Sequence, residues 1–400
     1  MDFSDSPSEA SFREEVRAFV RAECPRALRT RAHEWGTLGG GYRRADPELM
    51  RRWRAKLAGR GWIAPAWPKE YGGAGLTVIQ QFIFNETMAE ERAPSAGGIS
   101  VGWAGPTIIM YGTREQKAEH LRPILTGETT WCQLFSEPGA GSDLAAVQTR
   151  AIRDGDDYVI NGQKIWTSGA HRSDWGILLA RTDPDAPKHR GISYFLLDMK
   201  TPGITVRPLV NMVGAHDFNE VFFENVRISR NYLLGEENRG WYIGAATLDF
   251  ERSSIANSVR QEQIVGDLID FLRSQKGEAW LPSSRMAQLR PSLAERMIEA
   301  QVARQLSCRV VSLQNRNLVP NYEASIAKLY VSELEQRIAA TAMASLGPYA
   351  QLRSHSDPRA PLKGRIPRFY LYSSPMTVGG GTSEIQRNII ATRGLGLPRG

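Results

Sequence analysis

Apolar residues in the first third of the chain recur at the spacing of a helix. In the stretch SEASFREEVRAFVRAEC (8–24) they fall at Phe12, Val16, Phe19 and Val20. A second stretch, DPELMRRWRAKLAGRGW (46–62), begins with Asp-Pro and ends near glycine, which are typical signals of helix entry and exit. Spacings of three and four residues place apolar side chains on one helical face, so this third is predicted to be helical.

Between residues 129 and 235 the pattern changes to short apolar runs separated by turn residues. The runs are WCQLF, VQTRAIR, YVING, QKIW, GILLAR, ISYFLLD, ITVRPL and NEVFFENVRI. Runs of this length, rich in β-branched and aromatic residues, predict strands. Asn161-Gly162 stands between two of them and predicts a type I′ hairpin turn.

The helical pattern returns after residue 236, over 240–273, 284–316 and 321–345, with loops at 274–283 and 346–366. Long helical segments joined by loops are typical of an antiparallel helical bundle. We therefore predict a mainly α protein with a central β-domain, in three segments: 1–128, 129–235 and 236–400.

Composition gives no membrane-spanning segment and no targeting signal. The longest apolar runs, such as 176–181 and 194–199, are strand-sized and far short of the roughly 20 residues that cross a bilayer. The first residues are rich in Asp and Glu, with no basic segment followed by an apolar one, which favours a cytoplasmic protein. Cys24, Cys132 and Cys308 are scattered, and we expect free thiols.

The net charge of +7 does not indicate a nucleic-acid partner, because the basic residues are dispersed along the chain rather than clustered. The six histidines show no HExxH or other paired spacing, so no metal site is predicted. The Gly-x-Ser-x-Gly pattern is absent, which removes support for a hydrolase of the nucleophile-elbow type.

The stretch WCQLFSEPGAGSDLA (131–145) leaves several interpretations open. A strand followed by Gly-x-Gly resembles a dinucleotide fingerprint, but the third glycine is missing and strands rather than a helix follow. Alternatively, it is only a turn, or its approachable backbone at Gly139 and Gly141 and its hydroxyls at Ser136 and Ser142 suit a planar cofactor.

The stretch QKIWTSGAH (163–171) adds an aromatic ring to this chemistry. The two-residue period of a strand predicts that Lys164, Trp166 and Ser168 share one face. An indole and a hydroxyl so placed can stack on a flat ring and donate to its edge. The competing interpretation is a tryptophan that simply belongs to the core.

Five ordered blocks are similar to the acyl-CoA dehydrogenase family and together run along almost the whole chain. They are WPKEYGGAGL (67–76), GTREQKAEHLRPILTGE (112–128), SEPGAGSD (136–143), NGQKIWTSGAH (161–171) and GTSEIQRNIIATRGLGLPR (381–399). The resemblance implies an N-terminal helical domain, a middle β-barrel-like domain and a C-terminal four-helix bundle. It also implies FAD, held between the β-domain and the bundle.

The resemblance shows one departure at the catalytic position. Most members carry the α-proton base as a glutamate in the last block, where this chain has Gly380, preceded by Gly379. A minority branch takes the base from the first bundle helix, and TLDFERSSIA (247–256) matches it with Glu251 in the corresponding place.

The helical position of Glu251 supports this assignment without the family. Glu251 follows Leu248 by three residues and precedes Ile255 by four, so a helix places it among apolar side chains. Such surroundings raise the pKa of a carboxylate and make it a stronger base. The competing interpretation is a structural ion pair with an arginine.

The resemblance also implies roles for individual residues. It implies contacts to the flavin or its ribityl chain from Gln133, Phe135, Ser136, Gly141 and Ser142, and Ser142 can instead contact the pantetheine arm of the substrate. The isoalloxazine ring would be lined by Trp166, Thr167 and Ser168, while Thr382 and Glu384 would approach the pyrophosphate and adenosine end. Substrate contacts fall on Ser142, Asp249, Arg252 and Gly380, and the missing side chain at Gly380 favours a branched or polycyclic acyl group.

In the family, two motifs of the bundle serve the FAD of a neighbouring subunit. This chain matches them poorly, and the matching residues are Arg285 and Gly347. Together with KHRGIS (188–193) and YFLLDMKTPGITVRPL (194–209), this resembles the bacterial sterol side-chain branch, in which unlike chains form α2β2 assemblies. A homodimer or homotetramer is the alternative.

The sequence therefore predicts an FAD-dependent acyl-CoA dehydrogenase that passes electrons to an electron-transfer flavoprotein. One alternative is an acyl-CoA oxidase that reduces oxygen, although the chain is shorter than the peroxisomal type. Another is a silent partner subunit or a DNA-associated relative. The presence of Glu251 argues against the silent partner, and the lack of an extra C-terminal extension against the DNA-associated type.

Overall fold

The computed structural model describes residues 4–29, 46–249, 255–274, 283–354 and 356–398. The chain divides into two compact units. The helical unit comprises Met1–Met50, Leu76–Pro94 and Arg252–Gly400, and the sheet unit comprises Arg51–Gly75 and Ser95–Glu251. Each unit has a hydrophobic core of its own.

Helices make up most of the described residues. In chain order they are α1 (Pro7–Glu23), α2 (Pro47–Ala58), α3 (Val78–Glu90), α4 (Gly105–Tyr111), α5 (Arg114–Thr126), α6 (Gly240–Asp249), α7 (Ile255–Leu272), α8 (Ser283–Asn315), α9 (Tyr322–Leu346), α10 (Arg365–Ser373) and α11 (Ser383–Ile389). The helices expected at both ends of the chain are confirmed, and the boundaries near 128 and 235 stay predictions. No helix within the described ranges is both long and apolar enough to cross a membrane.

The helical unit is organised around long helices that bury apolar stripes. Its core is formed by α7, α8, α9 and α10, with Leu268, Ala303, Leu334 and Phe369 among the buried residues. The ends of helices in this unit are set by local hydrogen bonds. Ser6 starts α1 and Thr77 starts α3, each in a capping box that satisfies two otherwise free backbone N–H groups.

The sheet unit contains seven strands. They are β1 (Trp131–Leu134), β2 (Arg150–Asp154), β3 (Asp157–Lys164), β4 (Trp175–Arg181), β5 (Ile192–Asp198), β6 (Ile204–Val210) and β7 (His216–Ser229). Their order is β1-β4-β2-β3-β7-β6, with β5 paired to β4. The β1–β4 and β2–β4 pairs are parallel and the others antiparallel. The central β-domain predicted from the sequence is therefore confirmed.

The predicted hairpin at Asn161-Gly162 is wrong. Both residues lie inside β3, and the β2–β3 turn falls at Gly155, next to the Asp154–Asp157 pair. Asn-Gly instead lies opposite a β-bulge: from Ile160 to Gly162 the chain advances two positions, while β7 advances three, from Val226 to Phe223. The extra residue is Asn225, whose φ of +51° is left-handed. We call this the Asn225 bulge.

Candidate functional site

Two of the predicted cofactor segments meet in the sheet unit where β1 and β3 end. The Ile165 N–H donates to the Ser136 carbonyl at 2.9 Å, and Lys164 Nζ donates to the Phe135 carbonyl at 2.9 Å. These bonds join the segment of residues 133–136 to the segment that begins at Trp166. The structure therefore brings together residues that are 29 positions apart in sequence.

A buried ion pair lies beneath this junction. Lys164 has no exposed surface, and its Nζ lies 2.7 Å from Glu137 Oε1. The Glu137 carboxylate also accepts the N–H groups of Gln148 and Thr149, at 2.6 and 2.9 Å. Burial lowers the pKa of Lys164 to about 8, although Glu137 opposes this shift. The pair fixes the end of β1 against β3 in a medium that screens charge weakly.

Trp166 does not share a face with Lys164, so that prediction is wrong. Lys164 is buried, whereas Trp166 is 61% exposed. The cause is an extra residue just past the end of β3, which closes at Lys164: from Lys164 to Thr167 the chain advances three positions, while β7 advances two, from Val221 to Asn219, whose carbonyl accepts the Thr167 N–H. The extra residue at Trp166 is left-handed, with φ +60°. A bulge of this kind re-aims a side chain, and here it presents the indole outward. We call this the Trp166 bulge.

Two predicted cofactor residues carry buried polar atoms without a hydrogen-bond partner among the described residues. They are Gln133 Nε2, on β1, and Thr167 Oγ1, within the Trp166 bulge. A buried donor left unpaired costs free energy, so such atoms indicate a missing ligand or water. An amide donor, a hydroxyl and an exposed indole fit a flat ring with polar edge atoms. The residues present therefore fit the flavin that the resemblance implies.

The remaining predicted cofactor residues of the sheet unit lie on these two segments or directly after them. Phe135 is buried and meets Tyr194 edge-on, with ring centroids 5.8 Å apart. Ser136 is half-buried, and Gly141, Ser142 and Ser168 are exposed. A Cβ at Gly141 would meet nothing within 4 Å, so its backbone is open to a ligand.

Helix α6 precedes the predicted base in the chain, and a hydrogen bond between two threonines anchors it. Its residues Ile243, Gly244 and Thr247 are buried, and Thr247 Oγ1 lies 2.9 Å from Thr107 Oγ1. Glu251 and Arg252 lie outside the described residues, so their predicted roles stay predictions. Of Asp249 and Arg285 only the backbone is described, at the end of α6 and in the first turn of α8.

The glycine-rich loop belongs to the helical unit, where side chains bind its carbonyls. Lys328 Nζ donates to the Gly381 carbonyl at 2.6 Å, and Gln386 Nε2 donates to the Gly380 carbonyl at 3.2 Å. Gly380 and Gly381 have φ values of +67° and +89°, a region that favours glycine. A Cβ built at Gly380 would meet only Lys328 Cε, at 4.0 Å. The loop is thus fixed by its backbone.

The other predicted residues of the helical unit lie at helix ends. Thr382 caps α11 by accepting the Ile385 N–H at 3.2 Å, and Glu384 is exposed in the first turn. Hydrogen bonds from its own backbone N–H and from Thr382 lower the pKa of Glu384. Gly347 ends α9 with φ +56°.

Sequence reasoning missed the residues that support the site rather than line it. The Lys164–Glu137 pair, the Lys328 contact with the glycine loop and Asn219 all depend on contacts between distant segments. Only Lys164 carried a signal, because a lysine followed by Ile165 and Trp166 in a predicted strand indicates a buried charge that needs a partner.

Models of the acyl-CoA dehydrogenase family match three consecutive stretches of the chain. The N-terminal domain model matches residues 6–128, the middle domain model 132–226 and the C-terminal domain model 238–395. A curated relative, "Acyl-CoA dehydrogenase FadE34" of Mycobacterium tuberculosis, is 37% identical over 355 residues, or 89% of this chain. The chain spans about half of that relative, 47% of its length.

Two solved structures are similar over the whole chain. The "Tcur3481-Tcur3483 steroid ACAD" has a TM-score of 0.85 and 32% identity, and covers 100% of both chains. The "ChsE4-ChsE5 complex from Mycobacterium tuberculosis" has a TM-score of 0.81 and 34% identity, also over 100% of both chains. These similarities confirm the predicted fold class.

Proposed function

This chain belongs to the acyl-CoA dehydrogenase family, and we propose that it oxidises the Cα–Cβ bond of a bulky acyl-CoA thioester. Members of the family depend on FAD, and the proposal includes FAD as the cofactor of this chain. The observation that carries it is the pair of unsatisfied buried atoms, Gln133 Nε2 and Thr167 Oγ1, beside the exposed Trp166 indole.

Bound FAD supplies a two-electron acceptor for the hydride that leaves the substrate Cβ. The residues of this chain that would bind and orient it are Gln133 and Thr167, which offer polar atoms to the ring edge, and Trp166, which offers its indole to the ring. Ser136, Gly141 and Ser142 offer hydroxyls and open backbone to the flavin, its ribityl chain or the substrate arm. Thr382 and Glu384 are proposed to serve the pyrophosphate and adenosine end.

Removal of the α-proton requires a base, and Glu251 is the proposed one. The glycine-rich loop offers no carboxylate at residues 379–381, and Glu384 is exposed with a lowered pKa, which makes it a weak base. Glu251 follows buried Thr247 by four residues, the sequence spacing that returns a helix to the same face. A carboxylate on a buried helical face holds a proton more readily, which would make Glu251 a stronger base than an exposed glutamate.

The proposed substrate carries a branched or polycyclic acyl group. Gly379 and Gly380 present no side chain, and added Cβ atoms would meet only ordinary contacts at 3.5 and 4.0 Å. One structural neighbour is named a steroid ACAD, which agrees with a large acyl group for that protein. For this chain we propose the same class of substrate, with Asp249, Arg252 and Gly380 near it.

The proposed assembly is a heteromer with a second acyl-CoA dehydrogenase chain. The names of both structural neighbours join two proteins, and one is called a complex. The weak bundle motifs, reduced to Arg285 and Gly347, support shared FAD sites over a homo-oligomer. The proposed electron acceptor is an electron-transfer flavoprotein.

The test replaces Glu251 by glutamine in the protein purified with its partner chain, after the flavin-to-chain ratio has been measured. Steroid and straight-chain acyl-CoA thioesters are assayed with a dye acceptor. Because a general base contributes about 10²–10⁴-fold to the rate, the turnover of Glu251→Gln should fall by at least about 10²-fold. Flavin content should stay unchanged.

The matched control is Glu224→Gln, the same change at an exposed position of β7. It should keep wild-type turnover. Near wild-type activity of Glu251→Gln would remove the assignment of the base. Peroxide formed in proportion to substrate consumed, without dye, would instead identify an oxidase.

A further inference from the structure

One buried asparagine binds both main-chain polar groups of Thr167, the residue that follows the left-handed Trp166. Asn219, on β7, has no exposed surface. Its main-chain carbonyl accepts the Thr167 N–H at 3.0 Å, and its side-chain Nδ2 donates to the Thr167 carbonyl at 2.9 Å. The backbone of Thr167 is therefore fixed by a single residue.

The left-handed conformation of Trp166 makes this contact necessary. A bulky residue with positive φ is strained, and it persists only where neighbouring contacts determine the backbone. Trp166 is largely exposed, with an edge contact to Phe218 at 6.1 Å between ring centroids, so core packing does not hold it. The flanking bonds do: Ile165 to Ser136 before the bulge, and Thr167 to Asn219 after it.

Two histidines orient the amide of Asn219. Because Nδ2 donates to Thr167, Oδ1 is the acceptor end of the amide. It accepts from His216 Nε2 at 2.7 Å and from His171 Nδ1 at 3.2 Å. An amide oxygen only accepts, so each of these ring nitrogens is the donor in its bond to Oδ1. The rings stack with centroids 3.9 Å apart and planes 22° apart.

The arrangement links two separate elements to the main chain of Thr167. His171 lies in the short 3₁₀ turn Ala170–Arg172, directly after the bulge, and His216 begins β7. Both meet on one oxygen, so rotation of the Asn219 amide would break several hydrogen bonds together. The orientation of the donor to Thr167 is thus over-determined.

We propose that Asn219 is a positioning residue for the cofactor surface. It holds the Trp166 bulge in the conformation that exposes the indole and buries the unpaired Thr167 hydroxyl, and His171 and His216 orient its amide. The role toward flavin rests on the proposed function, whereas the role toward the bulge is a property of the protein alone.

The test compares Asn219→Asp with Asn161→Asp. In Asn219→Asp an oxygen replaces the Nδ2 donor, so the bond to Thr167 is lost with little change in volume. Asn161 serves as the matched control, because it lies opposite the Asn225 bulge of the same strand pair, where its Nδ2 donates to Asn225 Oδ1 at 3.2 Å.

Hydrogen exchange of the apoprotein over residues 165–169 gives the first measurement. Because loss of a buried hydrogen bond changes an opening equilibrium by about tenfold, Asn219→Asp should speed exchange there by that factor. Asn161→Asp should leave this segment within about twofold of the wild type.

The same comparison in a Trp166→Gly variant distinguishes a positioning role of Asn219 from a role in packing only. Glycine adopts positive φ without strain, so in Trp166→Gly the bulge no longer needs to be held. The acceleration caused by Asn219→Asp should then shrink to about threefold or less. Equal acceleration in both backgrounds would overturn the inference, because Asn219 would then be a packing residue only.

The third measurement is the dissociation constant of FAD, from flavin fluorescence. Asn219→Asp should raise it by about tenfold and Asn161→Asp by less than about twofold. An unchanged constant in Asn219→Asp would overturn the positioning role. If the wild-type assembly binds no FAD, the proposed function fails, and the exchange measurements still decide whether Asn219 holds the bulge.

Discussion

The Asn225 bulge within the β3–β7 pair and the Trp166 bulge just past the end of β3 each contain one extra residue, in very different surroundings. At the Asn225 bulge the left-handed residue is an asparagine, which tolerates positive φ, and its partner Asn161 is exposed. At the Trp166 bulge the left-handed residue is a tryptophan, a side chain that disfavours this conformation, and its partner Asn219 is fully buried.

The charges near each bulge differ in the same way. Arg227, two residues beyond Asn225, pairs with Asp154 and Asp157 at the surface. Lys164, two residues before Trp166, pairs with Glu137 in the interior. Only the Trp166 bulge adjoins a buried polar atom that lacks a partner among the described residues. We therefore propose that the Asn225 bulge shapes the sheet, and that the Trp166 bulge holds strained backbone at the proposed cofactor surface.

The largest expected effect is a difference in unfolding free energy between loss of the buried Lys164 pair and loss of the exposed Arg227 pairs. Replacing Lys164 by methionine leaves the Glu137 carboxylate buried without its cation, which costs about 3–5 kcal/mol of unfolding free energy. Arg227→Met is the matched control, and since its pairs are solvent-exposed it should leave the unfolding midpoint unchanged. Urea unfolding of both apoproteins provides the measurement. Equal midpoints would show that the buried pair does not stabilise the junction.

Much of the fold was predictable because it depends on local pattern. The spacing of Phe12, Val16 and Val20 predicts α1, and the long helices of the C-terminal segment follow from the same period. The strands also emerged from their apolar runs. These elements depend on residues close in sequence.

The failures have one physical cause, which is pairing between distant segments. Asn161-Gly162 favours a turn locally, but β7 pairs across it and makes it the partner of a bulge. The same pairing inserts an extra residue at Trp166 and reverses its face. Bulges are set by the register of two strands, and one sequence stretch does not contain that register.

A second prediction disturbs the Asn225 bulge directly, through the contact between Gly162 and Thr149. A Cβ added at Gly162 would lie 2.7 Å from Thr149 Cα, and its φ of +148° disfavours side chains. Because backbone atoms must shift, Gly162→Ala should cost about 1–3 kcal/mol of unfolding free energy. The dissociation constant of FAD should stay within about twofold of the wild type, as a sheet-shaping bulge requires.

Its control is Gly155→Ala, at the β2–β3 turn, where φ is also positive but a Cβ would meet nothing within 4 Å. This variant isolates the backbone strain from the steric clash, so it should destabilise the apoprotein less. A Gly162→Ala variant that weakened FAD binding about tenfold would contradict the division of roles between the two bulges.

The smallest expected effect is a pH dependence that sharpens the contrast between the buried and exposed pairs. Burial by itself raises the pKa of Glu137, but the Lys164 ammonium and the hydrogen bonds from Gln148 and Thr149 lower it below 4.5 in total. A carboxylate with a lowered pKa in the folded state stabilises the fold above its unfolded pKa. This contribution is lost as the pH falls through the folded pKa, because the unfolded state binds the proton first.

In Lys164→Met the carboxylate has lost its cation, so its pKa rises and its protonation relieves the buried charge. The stability difference between the wild type and this variant should therefore be largest near neutral pH and shrink by about 1–2 kcal/mol on acidification to about pH 4. Urea midpoints measured across this range test the prediction, with Arg227→Met as the reference that shows no such trend. A difference independent of pH would mean that Glu137 does not titrate with the fold, and that Lys164 stabilises the junction only through its bond to the Phe135 carbonyl.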